Sequence, residues 1–328
     1  MAAPADVAQT ARTAQRRGGD SFVQRVRKGD DIARTIVFLC ATSVIAITAV
    51  IVFELWIKSE PSRHQFGWQF LFTSTWDPNA GKFGALPFIY GTAVTSLLAL
   101  LIAVPLGVGA AIFLAELAPL RLSDALTFCI ELLAAVPSVI YGLIGIFVLI
   151  PILEKAVVPV LRPVLGFLPI FSGPFYGVSI FSAGIVLAGM ILPFIISVSR
   201  EVLIAVPQDF REAALAVGST KWESTWWVVV PFARTGILGS IFLALARALG
   251  ETMAVTMVIG NTPAVHGSLL APGYTIAAVI ANEFAEAVGD LYLSALVELG
   301  LVLFALTIIM NGAARLLIIA TTAKGTAP

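Results

Sequence analysis

Charge is what this chain has least of. Of its 328 residues only 12% are Asp, Glu, Lys or Arg, about half the share usual in soluble domains. Hydrophobic residues make up 59%, and the mean hydropathy is +0.96. That excludes a soluble fold and points to a protein built into a bilayer. Cysteine is nearly absent. Cys40 and Cys129 both lie inside apolar runs, offer no disulfide or metal spacing, and read as small core residues. The two histidines, His64 and His266, show no metal-ligand spacing either. No GxxxxGK[ST] phosphate-binding loop occurs, and no Ser/His/Asp, Cys/His or metal cluster is legible, which argues against a catalytic enzyme. Polar residues 1–31 precede a first apolar run too long for a signal core, so no cleavable leader is expected.

What the chain does have is apolar length. The expected fold is all-α and polytopic, with six transmembrane helices over residues 32–57, 88–117, 125–149, 177–199, 236–259 and 292–317. Each clears the roughly 20 residues a bilayer needs. Residues 1–31 form an N-terminal tail, 32–320 a transmembrane permease-like domain, and 321–328 a C-terminal tail. The stretch 151–176 carries Pro159, Pro163, Pro169 and Pro174 and reads as an interfacial or re-entrant connection. Pro137 is expected to kink the third span. Lys and Arg set the orientation. With both termini inside, Arg12, Arg16, Arg17, Arg25, Arg27, Lys28, Arg34, Arg121, Arg200, Arg211, Lys221, Arg234, Arg315 and Lys324 fall on the cytoplasmic side. Only Lys58, Arg63, Lys82, Lys155 and Arg162 fall outside, which satisfies the positive-inside rule.

A polar interruption over 200–235 organises the chain. Asp209 is placed to cap a short helix, with Glu212 three residues on, and Gly218 to stop it in the left-handed conformation. Thr220 and Glu223 repeat the capping pattern for a second short helix, which Pro231 closes. The small faces of Ala213, Ala214 and Gly218 suit close approach of a partner, with the helix set in a groove. An amphipathic connector resting on lipid headgroups through Arg211 and Lys221 fits the same residues.

Glu212-Ala213-Ala214, three residues, Gly218, nine residues and Val228-Val229-Val230-Pro231 together resemble the EAA loop of ABC importer permeases. The usual Ile-x-Leu-Pro ending is replaced by Val-Val-Val-Pro. The resemblance implies a type I importer permease fold, in which this loop is the coupling helix that enters a groove on a cytoplasmic ATPase. Glu212, Ala213, Ala214, Gly218 and Pro231 are then the coupling residues. It also implies no nucleotide site in this chain, with ATP and Mg on the partner ATPase. Three further stretches resemble the PstC-type phosphate permease branch: Tyr90-Gly-Thr-Ala-Val-Thr-Ser96, Val136-Pro-Ser-Val-Ile-Tyr-Gly142, and the run from Ala246 to Asn261. That branch implies a heterodimeric pore with a PstA-type subunit, an ATPase dimer and an extracytoplasmic phosphate-binding protein, in the cytoplasmic (inner) membrane.

Arg247 is the charge that needs explaining. It falls about halfway along the expected fifth span, where a lone Arg costs about 2.5–3.5 kcal/mol on insertion scales. Glu251, four residues on, would share its helix face, and Thr252 would add a hydroxyl. A guanidinium binds phosphate oxygens through a two-pronged hydrogen bond and keeps its proton. One reading gives Arg247 and Glu251 to the passage of an anion, with phosphate briefly replacing Glu251 on Arg247, a role the family resemblance also implies. The other makes them a buried pair that fixes helix packing. Ser138 and Tyr141 are assigned to the same path, as are Thr92, Thr95 and Ser96. Glu131 and Glu298 read as inter-helix or inter-subunit hydrogen-bonding groups, and Glu116 as a solvated residue at a span end. The functional expectation is the membrane subunit of an ATP-driven phosphate importer. The alternatives are an ion-coupled secondary carrier or an ABC permease for another oxyanion or for amino acids.

Overall fold

A computed structural model of the protein describes residues 33–323, so the expected tail over 1–31 and residues 324–328 lie outside the described residues. Regular structure among the described residues is helical, apart from a bridge between Asp77 and Lys82. The chain divides into two compact units, the first ending at Ile57. That unit holds α1 (Ala33–Lys58), apolar and exposed around nearly its whole circumference, as suits a span surrounded by lipid.

The second unit begins with short helices α2 (Glu60–Phe66) and α3 (Gln69–Phe72), followed by α4 (Leu86–Leu117) and α5 (Leu120–Ala134). Next come α6 (Ser138–Val164), α7 (Ile180–Ile204), α8 (Gln208–Ala216) and α9 (Lys221–Leu249). Short α10 (Met253–Ile259) and α11 (Ile276–Glu283) precede the long α12 (Asp290–Ala323). Among the described residues six helices are long and apolar enough to cross a membrane: α1, α4, α6, α7, α9 and α12.

At the centre stands α7. Its Leu187, Ile191 and Ile195 are fully buried, in one cluster with Ala99 and Ala103 of α4 and Ala244 and Ala248 of α9. Alanine at these crossings lets backbones approach closely, which holds spans together where lipid supplies no hydrophobic drive. A second cluster joins α4, α11 and α12 through Phe88, Tyr274, Ile276 and Leu299. There Glu283 accepts hydrogen bonds from Trp76 Nε1 at 2.8 Å and Tyr292 Oη at 2.6 Å. Burial pushes the Tyr274 phenol up to about 12.

The third span departs from expectation. Residues 125–149 are two helices, α5 and α6, separated at Ala135–Pro137, and Pro137 precedes α6 in an extended conformation instead of kinking it. The proline-rich stretch is not a loose connection up to Val164; it continues α6. Here π-helical turns at Gly145–Leu149 and Leu153–Val157 stand one residue before Ile150-Pro151 and Val158-Pro159. A proline has no N–H for the carbonyl four residues back. In each turn the residue before the proline bonds five residues back, Ile150 N–H to the Gly145 carbonyl and Val158 N–H to the Leu153 carbonyl, so the ladder shifts register just ahead of the ring and the helix continues. The same device, at Thr225–Val229, precedes Pro231.

Candidate substrate path and coupling element

Two places in the second unit hold the residues singled out from the sequence. The first is the turn from α7 through α8 into α9. Pro207, not Asp209, occupies the N-cap of α8, and no side chain caps it. Asp209 stands inside the first turn, where its charge complements the helix dipole, and Glu212 makes no capping box there. Gly218 does end the helix in the left-handed region, at φ +90°, a conformation costly for any residue with a Cβ. Ser219 Oγ closes the turn by donating to the Ala214 carbonyl at 2.6 Å. The Thr220–Glu223 capping box is formed: Glu223 N–H donates to Thr220 Oγ1 at 3.3 Å and Thr220 N–H to Glu223 Oε2 at 2.8 Å. The helix it starts is not short. Its 29 residues run to Leu249, and Pro231, expected to close the unit, lies exposed within it. Glu212, Ala213 and Gly218 are exposed and Ala214 is half-buried, beside the exposed side chains of Phe210, Leu215, Val217 and Trp222. Trp222 stacks on Trp226 at a ring separation of 5.9 Å.

Glu116 is not solvated. Its carboxylate pairs with Arg211 at 2.7 Å, with side-chain exposures of 9% and 16%. Arg211 also donates to the Leu203 carbonyl at 2.8 Å and to the Val206 carbonyl. These partners come from α8 and from the ends of α4 and α7. The two charges are 95 positions apart in sequence, so no local spacing could have paired them. A similar group lies nearby: Arg200 donates to Ser123 Oγ at 3.3 Å, and Ser123 Oγ to the Leu114 carbonyl at 2.8 Å. Ser199 and Ser240 share a buried hydrogen bond of 2.8 Å between α7 and α9.

The second place is the end of α9. Arg247 lies in the last turn of its helix, not halfway along, because α9 begins at Lys221 and stops at Leu249. Its depth in the bundle is nonetheless central: Ala244 and Ala248 on either side join Ala99, Ala103, Leu187 and Ile191, the mid-portions of α4 and α7. Glu251 does not share a helix face with Arg247, since the helix has already ended. Its Oε1 instead accepts from Ala254 N at 3.2 Å and caps α10. Among the described residues Arg247 forms no ion pair, so the expected Arg247–Glu251 couple is absent. Arg247 itself is exposed on this chain. Tyr141 donates its hydroxyl to the Leu133 carbonyl at 2.8 Å, across the α5–α6 break, and Ser138 is half-buried beside it in the first turn of α6. Thr252, half-buried, donates to the Gly250 carbonyl at 3.3 Å. The structure thus gathers Arg247, Glu251, Thr252, Ser138 and Tyr141 around the two breaks that interrupt α5–α6 and α9–α10.

Other assignments change. Thr92, Thr95 and Ser96 are fully buried and face the inside of the chain; Thr92 Oγ1 accepts from Ile276 N at 3.0 Å. Cys40 and Cys129 are exposed, not core residues. Glu131 is exposed, whereas Glu298 is buried, on α12 where it packs against α2.

A family profile described as "Binding-protein-dependent transport system inner membrane component" matches residues 103–318. A "Phosphate transport system permease protein PstC" of Mesorhizobium japonicum is 45% identical over 96% of this chain and 98% of its own length. The chain belongs to the PstC family of binding-protein-dependent permeases. Permeases of the same description from Xylella fastidiosa (47% identical, covering 86% of this chain and 87% of the relative) and Haemophilus influenzae (48%, 85% and 90%) agree. A solved chain of the MetNI methionine ABC transporter in inward-facing conformations is a more distant likeness. It has a TM-score of 0.46 at 17% identity, covering 71% of this permease and 93% of that chain. This permease is therefore a multi-pass membrane protein of the importer class, and its two breaks and the α8 turn lie within or beside the segment the family profile matches.

Proposed function

We propose that this chain is the membrane-spanning subunit of an ATP-driven importer of inorganic phosphate. In this reading it forms half of the translocation pore with a PstA-type permease subunit. A cytoplasmic ATPase dimer drives it, and an extracytoplasmic phosphate-binding protein feeds it. The chain lies in the inner membrane with both termini cytoplasmic. It performs no chemistry itself; ATP and Mg belong to the ATPase, which docks on Glu212, Ala213, Ala214 and the turn at Gly218.

The observation that carries the reading is Arg247. An uncompensated arginine at central depth, exposed on the chain, is expensive in lipid and is explained by an anion that passes it. A phosphate can take two parallel hydrogen bonds from it. Because Glu251 is held on the α10 N-terminus and is not bonded to Arg247, phosphate displaces no internal partner on arrival. The Glu251 carboxylate, four residues on across the α9–α10 break, repels a bound dianion, which keeps the stay short. Tyr141 and Thr252 offer hydroxyls at the two breaks, and Ser138 stands at the start of α6.

Reconstitution tests it. Phosphate uptake into proteoliposomes that requires the ATPase, ATP and the binding protein together supports the importer. Uptake by this chain alone, driven by an ion gradient, would favour a secondary carrier instead.

A further inference from the structure

We propose that Arg211 and Glu116 are positioning residues whose ion pair fuses α8, the end of α4 and the end of α7 into one body, so that a push on α8 is delivered directly to two spans. The inference rests on reading α8 as the coupling element. It adds what joins that element to the membrane domain.

The sequence allows a loose joint here. A nine-residue helix without a side-chain cap follows the Ala205–Pro207 turn and is released at its other end by Gly218. Left to its exposed apolar side chains, it would rock between those two points. Arg211 removes that freedom. Its Nε is shared between both Glu116 oxygens at 3.2 Å, and its Nη2 reaches Glu116 Oε1 at 2.7 Å and the Leu203 carbonyl at 2.8 Å. Its Nη1 takes the Val206 carbonyl. The Leu203 carbonyl lies in the last turn of α7 and the Val206 carbonyl just beyond it, at the negative end of the helix dipole, where positive charge is favoured. Only a planar fork with donors in fixed directions can serve a carboxylate and two carbonyls at once; a lysine ammonium is a point charge on a flexible stem. The pair is largely screened from solvent, at 16% and 9% exposure, so it is not a surface contact that water and salt would dissolve.

The receiving ends are shaped for displacement. Glu116 stands in the π-turn Phe113–Leu117 that ends α4, and α8 also packs against the π-turn Thr225–Val229 near the start of α9. Both are places where the regular hydrogen-bond ladder is already interrupted.

The test uses the whole complex in proteoliposomes with Arg211→Lys and Glu116→Gln, and three readouts. These are the ATPase retained on purification, ATP hydrolysis stimulated by loaded binding protein, and phosphate moved per ATP. The expected result is normal assembly and continued hydrolysis, with phosphate per ATP lowered about tenfold, inside the usual range of coupling effects. A structural defect would lower hydrolysis and uptake together and leave the ratio unchanged; that outcome overturns the proposal. A second measurement does not depend on uptake. Spin labels at Gln208→Cys on α8 and Leu117→Cys at the end of α4, with Cys40→Ser and Cys129→Ser, should report one distance that ATP binding leaves unchanged in the otherwise native complex. That distance should broaden when Glu116→Gln is added. A distance that shifts with ATP in the native pair contradicts a single body. If the native complex moves no phosphate on ATP addition, the importer reading falls and this inference with it. If it transports and the variants keep its ratio, only the clamp falls.

Discussion

A Cβ on Gly142 would stand 2.6 Å from the sulfur of Met257, and 3.2 Å from the Cα of Ala254. The bare backbone of α6 is therefore what lets α10 lie against it, and this contact brings the Tyr141 turn and the Arg247 turn to the same part of the molecule. Met257 can swing aside from an added methyl, but the Ala254 backbone cannot. Gly142→Ala is expected to cost about 1–3 kcal/mol through overpacking, and Gly142→Val more. Both should lower the melting temperature in detergent and reduce uptake beyond the loss of assembled complex. Wild-type melting by the valine variant would show that α10 does not bear on α6.

Gly218 links α8 to α9 at φ +90° with open space around it. Any penalty at this position is thus one of backbone conformation and not of crowding. Gly218→Val should destabilise the turn by about 1–3 kcal/mol. It should open the segment from Val217 to Thr220 to limited proteolysis and weaken retention of the ATPase. An unchanged cleavage pattern would mean that the turn tolerates a β-branched residue.

Glu251 has two separable tasks, and two substitutions part them. Glu251→Gln keeps an oxygen to accept from Ala254 N, so the fold and melting temperature should hold while the repulsion of a bound anion is lost. Maximal phosphate uptake should fall because release is slowed. Glu251→Ala also loses the cap, at about 1 kcal/mol, and should melt earlier as well. Equal melting of the two variants would show that the Ala254 contact does not stabilise α10.

Glu283 gathers Trp76 and Tyr292 onto one carboxylate. Glu283→Ala strands both donors, each at about 1–3 kcal/mol where water cannot reach; Glu283→Gln retains an acceptor and should cost less. Thermal melting followed by tryptophan fluorescence would order the three proteins wild type, Gln, Ala. Any other order contradicts the shared acceptor.

What could be read from residues alone was whatever depends on local spacing. The apolar runs located α1, α4 and α7 within a few positions, and the Thr220–Glu223 box and the left-handed Gly218 emerged as expected, because each needs only neighbours three or four places away. Proline misled where the helix had its own remedy. Pro159 and Pro231 read as breaks, yet each lies in a continuing helix just after a π-turn, and nothing in the side-chain types announces such a turn. The true breaks, at Ala135–Pro137 and Gly250–Thr252, were hidden inside apolar periodicity. They moved Arg247 to a helix end and took Glu251 off its face. Glu116 and Arg211 were beyond reach for another reason: their pairing exists only once α4 and α8 have been brought together.

The central claim is that Arg247 serves a passing anion, and phosphate uptake by Arg247→Gln tests it most directly. The measurement is ATP-dependent uptake of labelled phosphate by the reconstituted complex, normalised to co-purified ATPase, with Arg247→Lys alongside. The account expects Gln to assemble normally and to lose nearly all uptake, and Lys, which keeps the charge without the fork, to recover only part. Wild-type uptake by a fully assembled Arg247→Gln complex would contradict it.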